Sequence, residues 1–194
     1  MIGNDVVDLC DPEAQAGAPH ARFDARVFAP SERRLLSSSA APSRLRWRLW
    51  AAKEAAYKVA RQLDATTVFA PSRFVVDPQA ELVRCADRCF AVRTAEGESY
   101  VHVVAHPAGD EVDEAIVCDV AHCEGGDATA SQAARALVLD ALAETLPADR
   151  ADLAIVTCDR IPRVEIGGAL APIDLSLSHH GRFVAYAFAV RGAA

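Results

Sequence analysis

Charged side chains at helical spacing form the first candidate site of this 194-residue chain. On a wheel of about 100° per residue, one face of the helix predicted over residues 44–63 collects Trp50, Lys53, Glu54, Tyr57, Lys58 and Arg61. Alanines occupy much of the opposite face and let the helix lie close to the layer beneath it. This face presents two aromatic rings, one carboxylate and three cations. The alternative is a solvated face on which Glu54 and Lys58 form an i,i+4 salt bridge.

A second carboxylate, Asp5, lies in the strand predicted over residues 2–9. Alternation places Asp5 on the same side of this strand as Gly3 and Val7. A carboxylate among apolar side chains is unfavourable unless it is paired or binds a metal. Gly3 has no side chain, so we expect it to leave room for a ligand. An aspartate that caps a turn is the alternative.

Hydroxyl and imidazole side chains cluster near residue 180, in the segment Ser176-Leu177-Ser178-His179-His180-Gly181. Strand parity places His179 at the end of an apolar face and the two serines on the other face. A serine beside a histidine is also found in hydrolases, but the G-x-S-x-G motif is absent. Hydroxyl, imidazole and turn amides together predict a phosphate-binding rim.

The charge distribution is uneven. The net charge of −7 argues against general nucleic-acid binding, yet residues 22–61 contain ten basic and only three acidic side chains. A basic patch on an acidic chain suits a polyphosphate ligand or an acidic protein partner. Solvated helix faces are the alternative. Cys118, His122 and Cys123 lie close together, but a second ligand pair with zinc spacing is missing, which favours structural thiols.

Periodicity predicts the elements that position these side chains. Helices are predicted over residues 22–28, 31–37, 44–63 and 128–146. Strands are predicted over residues 2–9, 74–76, 89–94, 100–105, 115–120, 153–157, 173–178 and 183–190. Because strands and helices mix without βαβ alternation, we expect the α+β class. No apolar run approaches the roughly 20 residues that span a bilayer, and no signal peptide is recognised, so we expect a soluble cytoplasmic protein.

Taken together, the motifs resemble the 4′-phosphopantetheinyl transferase superfamily. Residues 3–8 (GNDVVD) resemble its G-[apolar]-D opening, and residues 50–58 (WAAKEAAYK) reproduce its W-x-x-K-E-A-x-x-K helix. Residues 176–179 (SLSH) look like its third motif. Residues 22–32 are similar to the R-F-x-x-R-[VI]-[FL]-x-x-x-E segment of the acyl-carrier-protein synthase branch. The resemblance covers residues 2–62 and 160–190 and leaves the middle of the chain unmatched.

Two positions depart from the family pattern. Asn4 stands where the family usually carries an apolar residue. Before Ser176, the larger surfactin-type enzymes carry G-K-P, whose lysine contacts coenzyme A. Here the corresponding stretch is residues 160–163 (RIPR), so Arg160 or Arg163 is expected to take over that contact.

The resemblance implies a transfer reaction from coenzyme A to a serine of an acyl or peptidyl carrier protein, releasing 3′,5′-ADP. It implies Mg²⁺ on Asp5 and Glu54, with Lys58 neutralising the pyrophosphate and Lys53 supporting it. Glu54 or a magnesium-bound water is expected to take the serine proton. A catalytically silent relative that binds coenzyme A or a nucleotide is the alternative.

The resemblance also assigns binding residues and an architecture. Ser178 and His179 are expected to hold the nucleotide's phosphates. The carrier protein is expected to dock on basic residues of the segment 22–61, namely Arg22, Arg26, Arg33 and Arg44. The implied fold has two related α+β lobes, approximately residues 1–110 and 111–194, with antiparallel sheets and a pseudo-twofold cleft. Because one chain would build the whole site, we expect a monomer. From the net charge and the lack of a long apolar run, we expect neither nucleic acid nor a membrane as a partner.

Overall fold

Antiparallel strands and helices mix in the computed structural model, which describes residues 1–15, 17, 22–109, 116–124 and 127–191. The helices are α1 (Phe23–Val27), α2 (Pro30–Ser38), α3 (Pro42–Leu63) and α4 (Asp127–Thr145). The first five strands are β1 (Gly3–Asp8), β2 (Val75–Asp77), β3 (Leu82–Cys85), β4 (Arg88–Glu96) and β5 (Tyr100–Pro107). The others are β6 (Ile116–His122), β7 (Leu153–Cys158), β8 (Ile161–Ile166), β9 (Ala169–Leu170), β10 (Ile173–His180) and β11 (Phe183–Val190). The predicted α+β class is confirmed.

The predicted helices and strands are all present, but the sequence reading missed β3, β8 and β9. In β8, Pro162 reads as a strand breaker. Strand β9 pairs only with Glu165 and Ile166 of β8. At Pro162, β8 therefore pairs with β7 on one side and with no strand of this sheet on the other, and a proline is tolerated at such an edge position. Residue 115, the predicted start of β6, lies outside the described residues.

A five-stranded sheet with the order β1-β5-β4-β3-β2 forms the N-terminal part, which we define as described residues 1–109. Helix α3 covers this sheet with its alanines. A Cβ atom on Gly3 would lie only 2.1 Å from the carbonyl oxygen of Ala55. The expectation that Gly3 leaves room for a ligand is therefore wrong, because that space is filled by the backbone of α3.

Two three-stranded sheets form the C-terminal part, which we define as described residues 116–191. Their orders are β10-β11-β6 and β7-β8-β9. Helix α4 buries Val138 and Leu142 against Val164, Leu175 and Phe188 of these sheets. The N-terminal part has its own core under α3. Residues 110–115, where the two predicted lobes would meet, lie outside the described residues.

Strand β1 is the element of the N-terminal part that faces β10 and β11. Its Asp8 carboxylate, only 1% exposed, accepts two hydrogen bonds from the Arg182 guanidinium at 2.8 Å. The backbone N–H groups of Arg182 and Cys10 also donate to Asp8. These bonds fix the tight turn between β10 and β11 against the end of β1. Among the described residues, no helix has both the length and the apolar character needed to cross a bilayer.

Candidate active site

The structure brings Asp5 of β1 and Lys58 of α3 together. The Lys58 ammonium donates to the Asp5 carboxylate at 3.1 Å and to the backbone carbonyl of Asn4 at 2.7 Å. Glu54 lies one helical turn before Lys58, so it projects from the same face of α3. The side chain of Asp5 is 15% exposed and that of Lys58 is 29% exposed, which leaves a narrow route to solvent.

The two carboxyl groups of this cluster hold their protons unusually tightly. Burial raises the pKa of Asp5, against the opposing effects of Lys58 and of nearby His180 and His179. Burial and the neighbouring charge of Asp5 raise the pKa of Glu54 to about 7, while Lys58 acts in the opposite direction. Two partly buried carboxyl groups with raised pKa values therefore lie beside one cation, Lys58, and the charge of Asp5 disfavours the ionisation of Glu54.

These carboxylates fit a hard divalent cation. Mg²⁺ prefers oxygen ligands, keeps several waters and is commonly bound by one or two carboxylates. A cation held by Asp5 and Glu54 would stabilise the ionised form of Glu54, which burial and the charge of Asp5 disfavour. Among the described residues, no group of three or more histidine, cysteine, aspartate or glutamate side chains forms a metal cluster. Any cation here would therefore take most of its ligands from water or from a phosphate.

A cavity of about 230 Å³ lies between the two parts of the chain, beside this cluster. On one side, α3 contributes Tyr57, Lys58 and Arg61. On the other side, the C-terminal part contributes Arg160 and Ser176. The remaining lining residues are Gln62, Ile161, Pro162 and Leu177. Three cations and two hydroxyl-bearing side chains around a partly apolar wall suit an anionic ligand that also carries an organic group.

A second cavity of about 300 Å³ shares Arg160, Pro162 and Leu177 with the first. It is lined further by His179, which is exposed, and by Arg135 of α4. The Arg135 guanidinium is held in place by the backbone carbonyl of Ile155 and the hydroxyl of Thr157, both at 3.3 Å. Arg135 was missed in the sequence because a single arginine on α4 has no motif around it.

Arg160 stands between the two cavities on the tight turn that joins β7 and β8. Both residues of this turn, Asp159 and Arg160, have positive φ, at 51° and 65°. Side chains other than glycine rarely adopt this backbone conformation, although two-residue hairpins require it. This turn carries the Arg160 side chain to the cleft, where it lines both cavities. Arg163 is on the opposite face of β8 from the buried Val164 and lines neither of these two cavities.

Lys53 lies away from both cavities and is fully buried. Its ammonium is bound by both carboxylate oxygens of Glu32 at 2.7 Å, and it also donates to the carbonyls of Pro71 and Phe74. The Glu32 carboxylate is equally buried and accepts further bonds from the backbone N–H groups of Ala29 and Val76. This ion pair joins α2 to α3, so Lys53 has no ammonium hydrogen directed at a ligand in the cleft. The predicted support of the pyrophosphate by Lys53 has no basis in this geometry.

The third motif divides between the core and the cleft. The Ser176 hydroxyl lines the first cavity and His179 lines the second. Ser178 is only 6% exposed and lines neither of them, and its hydroxyl is unpaired among the described residues. His180 accepts a hydrogen bond from the backbone N–H of Asp8 at 3.1 Å. The predicted phosphate contact of Ser178 therefore has no basis in this geometry, because the way β10 faces β1 places Ser176 at the cleft instead.

The basic segment 22–61 divides in a similar way. Arg44 is bound to the β4–β5 hairpin through Glu96 and the carbonyls of Gly97 and Glu98. Arg26 and Arg33 are exposed. Of the arginines predicted to bind a carrier protein, the exposed Arg26 and Arg33 therefore lie on α1 and α2. These two helices are next to α3.

Comparison with known families agrees with this geometry. The family model described as the 4′-phosphopantetheinyl transferase superfamily matches residues 1–108. The match includes Asp5, Glu54 and Lys58, and it ends before Arg160, Ser176 and His179. No curated protein matches the chain with significant similarity.

Proposed function

Because the chain belongs to the 4′-phosphopantetheinyl transferase superfamily, we propose that it transfers phosphopantetheine from coenzyme A to an acyl or peptidyl carrier protein. The serine oxygen of the carrier forms a bond to the pantetheine-side phosphorus. The bond from that phosphorus to the bridging oxygen breaks, 3′,5′-ADP leaves, and the serine proton passes to an acceptor. One observation carries this proposal: Lys58, paired with Asp5, lines the same cavity as Arg160 and Ser176.

The three cations around the first cavity suit the coenzyme A pyrophosphate. Lys58 and Arg61 line the cavity from α3, and Arg160 lines it from the opposite side of the cleft. Charge-assisted hydrogen bonds from such groups bind phosphate oxygens strongly, and they stabilise negative charge that grows on the bridging oxygen. Because Lys58 is held by Asn4 and Asp5, its ammonium is in place before the ligand arrives.

Asp5 and Glu54 would hold the Mg²⁺ ion of this reaction. When bound, the cation would offset the charge that develops on the phosphoryl and leaving oxygens. In the second cavity, His179, Arg135 and Arg160 would bind the phosphates of the nucleotide part. Arg160 lines both cavities, so it takes the role that a lysine has in the larger relatives. The exposed arginines of α1 and α2 would receive the acidic carrier protein.

The test is the intact mass of a purified apo carrier protein after incubation with coenzyme A, Mg²⁺ and this chain. We expect the mass to rise by one phosphopantetheine group. A carrier whose acceptor serine is alanine should gain nothing, and EDTA should block the gain. Lys58→Met should abolish transfer. Arg84→Met, which removes an exposed cation paired with Asp77 on β2, should leave transfer unchanged.

Two outcomes would contradict the proposal. If coenzyme A binds but fatty-acid, polyketide and peptide-synthetase carriers all remain unmodified, the chain is a catalytically silent relative. If Lys58→Met transfers as fast as Arg84→Met, the cleft is not the site of the reaction.

A further inference from the structure

Asn4 links three elements at the cleft and is fully buried. Its backbone N–H donates to the Ser176 hydroxyl at 2.9 Å, and that hydroxyl donates to the Asn4 side-chain oxygen at 3.0 Å. The side-chain nitrogen of Asn4 donates to Nε2 of His102 on β5 at 3.2 Å. Its carbonyl accepts the bond from Lys58. One residue thus connects β10, β5 and α3.

The backbone of Asn4 lies between two groups that line the same cavity. Strand β1 is at the edge of its sheet and pairs there with β5. The N–H and carbonyl of Asn4 are bonded instead by Ser176 and Lys58, one from each part of the chain. The separation between the Ser176 hydroxyl and the Lys58 ammonium across the cavity therefore depends on where residue 4 is held.

The side-chain oxygen of Asn4 fixes that position through its bond with the Ser176 hydroxyl, while His102 on the neighbouring strand β5 satisfies the amide nitrogen. Burial lowers the pKa of His102 to about 4, so its ring is neutral and Nε2 can accept the amide hydrogen. An apolar side chain at residue 4 would leave His102 Nε2 and the Ser176 hydroxyl hydrogen without partners. Unsatisfied polar groups in a buried site are unfavourable, so β1 and β10 would shift to find other partners or water.

We propose that Asn4 is a positioning residue for transfer, one that acts through Lys58 and Ser176 by holding β1 at a fixed distance from β10. This inference rests on the proposed function.

The experiment compares wild type, Asn4→Val, His102→Leu and Ser176→Ala, together with the Asn4→Val/Ser176→Ala double variant. For each protein, kcat, KM, the coenzyme A dissociation constant by calorimetry and the melting temperature are measured. His102→Leu is the matched control, because it breaks the Asn4–His102 bond and leaves the bonds to Ser176 and Lys58 in place. Asn4→Ser, a smaller polar change, carries the same test if Asn4→Val fails to fold.

We expect Asn4→Val to lower kcat by about tenfold or more, since misplacement by about 1 Å can cost that much, while coenzyme A affinity changes by less than about threefold. His102→Leu should lower the melting temperature but keep kcat within about threefold of wild type. The double variant should be no slower than the slower single variant, because both act on one contact.

The outcomes separate this inference from the proposed function. Transfer by wild type with an equal kcat in Asn4→Val, or an equal kcat loss in His102→Leu, overturns the positioning role alone. Additive losses in the double variant overturn the route through Ser176. Absence of transfer by wild type overturns the proposed function, and this inference with it.

Discussion

Burial beside Asp5 gives Glu54 a pKa of about 7, compared with 4.5 for a free carboxyl, and this has a consequence for folding. The folded state holds the Glu54 proton more tightly than the unfolded state does. Below pH 4.5, Glu54 is protonated in both states. The unfolded state alone ionises as the pH rises from 4.5 towards 7. Stability of the metal-free protein is therefore lost over this range, by at most about 3 kcal/mol.

We predict that Glu54→Gln stabilises the metal-free protein above pH 7 but has no such effect near pH 4.5, because glutamine cannot ionise. Added Mg²⁺ should raise the melting temperature of wild type and not that of the variant. Thermal unfolding at several pH values, with EDTA and with Mg²⁺, measures both effects. A pH-independent difference between the two proteins would contradict the prediction.

The same variant should lose transfer, because it removes an anionic magnesium ligand and a possible proton acceptor at once. We expect a loss of about a hundredfold or more in kcat. Asp5→Asn should behave likewise. Transfer by Glu54→Gln within about tenfold of wild type at low millimolar Mg²⁺ would argue against the metal-binding role.

His179 is expected to bind a phosphate rather than to act as a base, because its exposed ring lines the cavity that contains Arg135 and Arg160. We predict that His179→Ala raises KM for coenzyme A about tenfold and lowers kcat by less than about threefold. His122→Ala, which removes another exposed ring at the end of β6, is the control and should change neither. A large kcat loss at constant KM would mean that His179 takes part in the chemistry.

At the residue scale, the sequence was most informative where a motif had several fixed positions. Residues 50–58 carry five such positions, and Glu54 and Lys58 are adjacent to Asp5 in the fold as the resemblance implied. Lys53 was misplaced because its wheel position is polar, whereas its true partner, Glu32, lies 21 residues earlier on another helix. Arg135 could not be found, since only the fold brings α4 next to β10.

The buried pair between α2 and α3 gives a test at the scale of elements. Lys53→Met leaves the Glu32 carboxylate buried with only its backbone donors, and breaking such a pair costs about 3 kcal/mol or more. We predict a clear drop in melting temperature with KM for coenzyme A unchanged. Adding Glu32→Gln should recover part of the stability, because it removes the uncompensated charge. A raised KM for coenzyme A with an unchanged melting temperature would contradict this prediction and indicate that Lys53 binds coenzyme A.

The turn between β10 and β11 offers a second test. Arg182→Ala removes two bonds to Asp8 and should lower the stability of the fold at neutral pH. Arg182 holds the pKa of Asp8 well below its ordinary value, so this stability is present above about pH 4 and is lost at lower pH.

The matched control is Arg150→Ala, whose partner Asp140 is exposed, and it should cost less than about 1 kcal/mol. Denaturant unfolding at pH 7 and at pH 3 compares the two variants. Equal losses for Arg182→Ala and Arg150→Ala at pH 7 would show that the turn is not anchored on β1.

Helices and strands were predicted correctly where a periodic pattern ran over many residues. They were missed where a proline interrupted the strand, as in β8, or where the strand was very short. Helix α3, with its alanine face, could be located to within two residues at each end. Strands β3 and β9 are only four and two residues long, too short for alternation to be recognised. The pairing of β1 with β5, and the approach of β10 to its outer side, depends on contacts between distant residues and has no local signal.

At the scale of the whole molecule, one chain supplies all the residues assigned to the site. Asp5, Glu54 and Lys58 come from the N-terminal part, while Arg160 and His179 come from the C-terminal part. We therefore predict a monomer, and light scattering should give a mass near 20.7 kDa. A trimer of about 62 kDa, with Asp5 and His179 meeting across subunits, would refute this architecture.

Asn4 of β1 donates a hydrogen bond to Ser176, and Asp8 of β1 accepts one from Arg182, so these bonds join residues that are 172 and 174 positions apart. During synthesis at about 5–20 residues per second, Asn4 leaves the ribosome roughly 9–35 s before Ser176 does. In that interval the five-stranded sheet can form, but the outer edge of β1 has no covering strand and is open to pairing with other chains. A nascent chain therefore carries its carboxylates and lysine without a finished cleft, and any reaction there waits for the last strands to emerge.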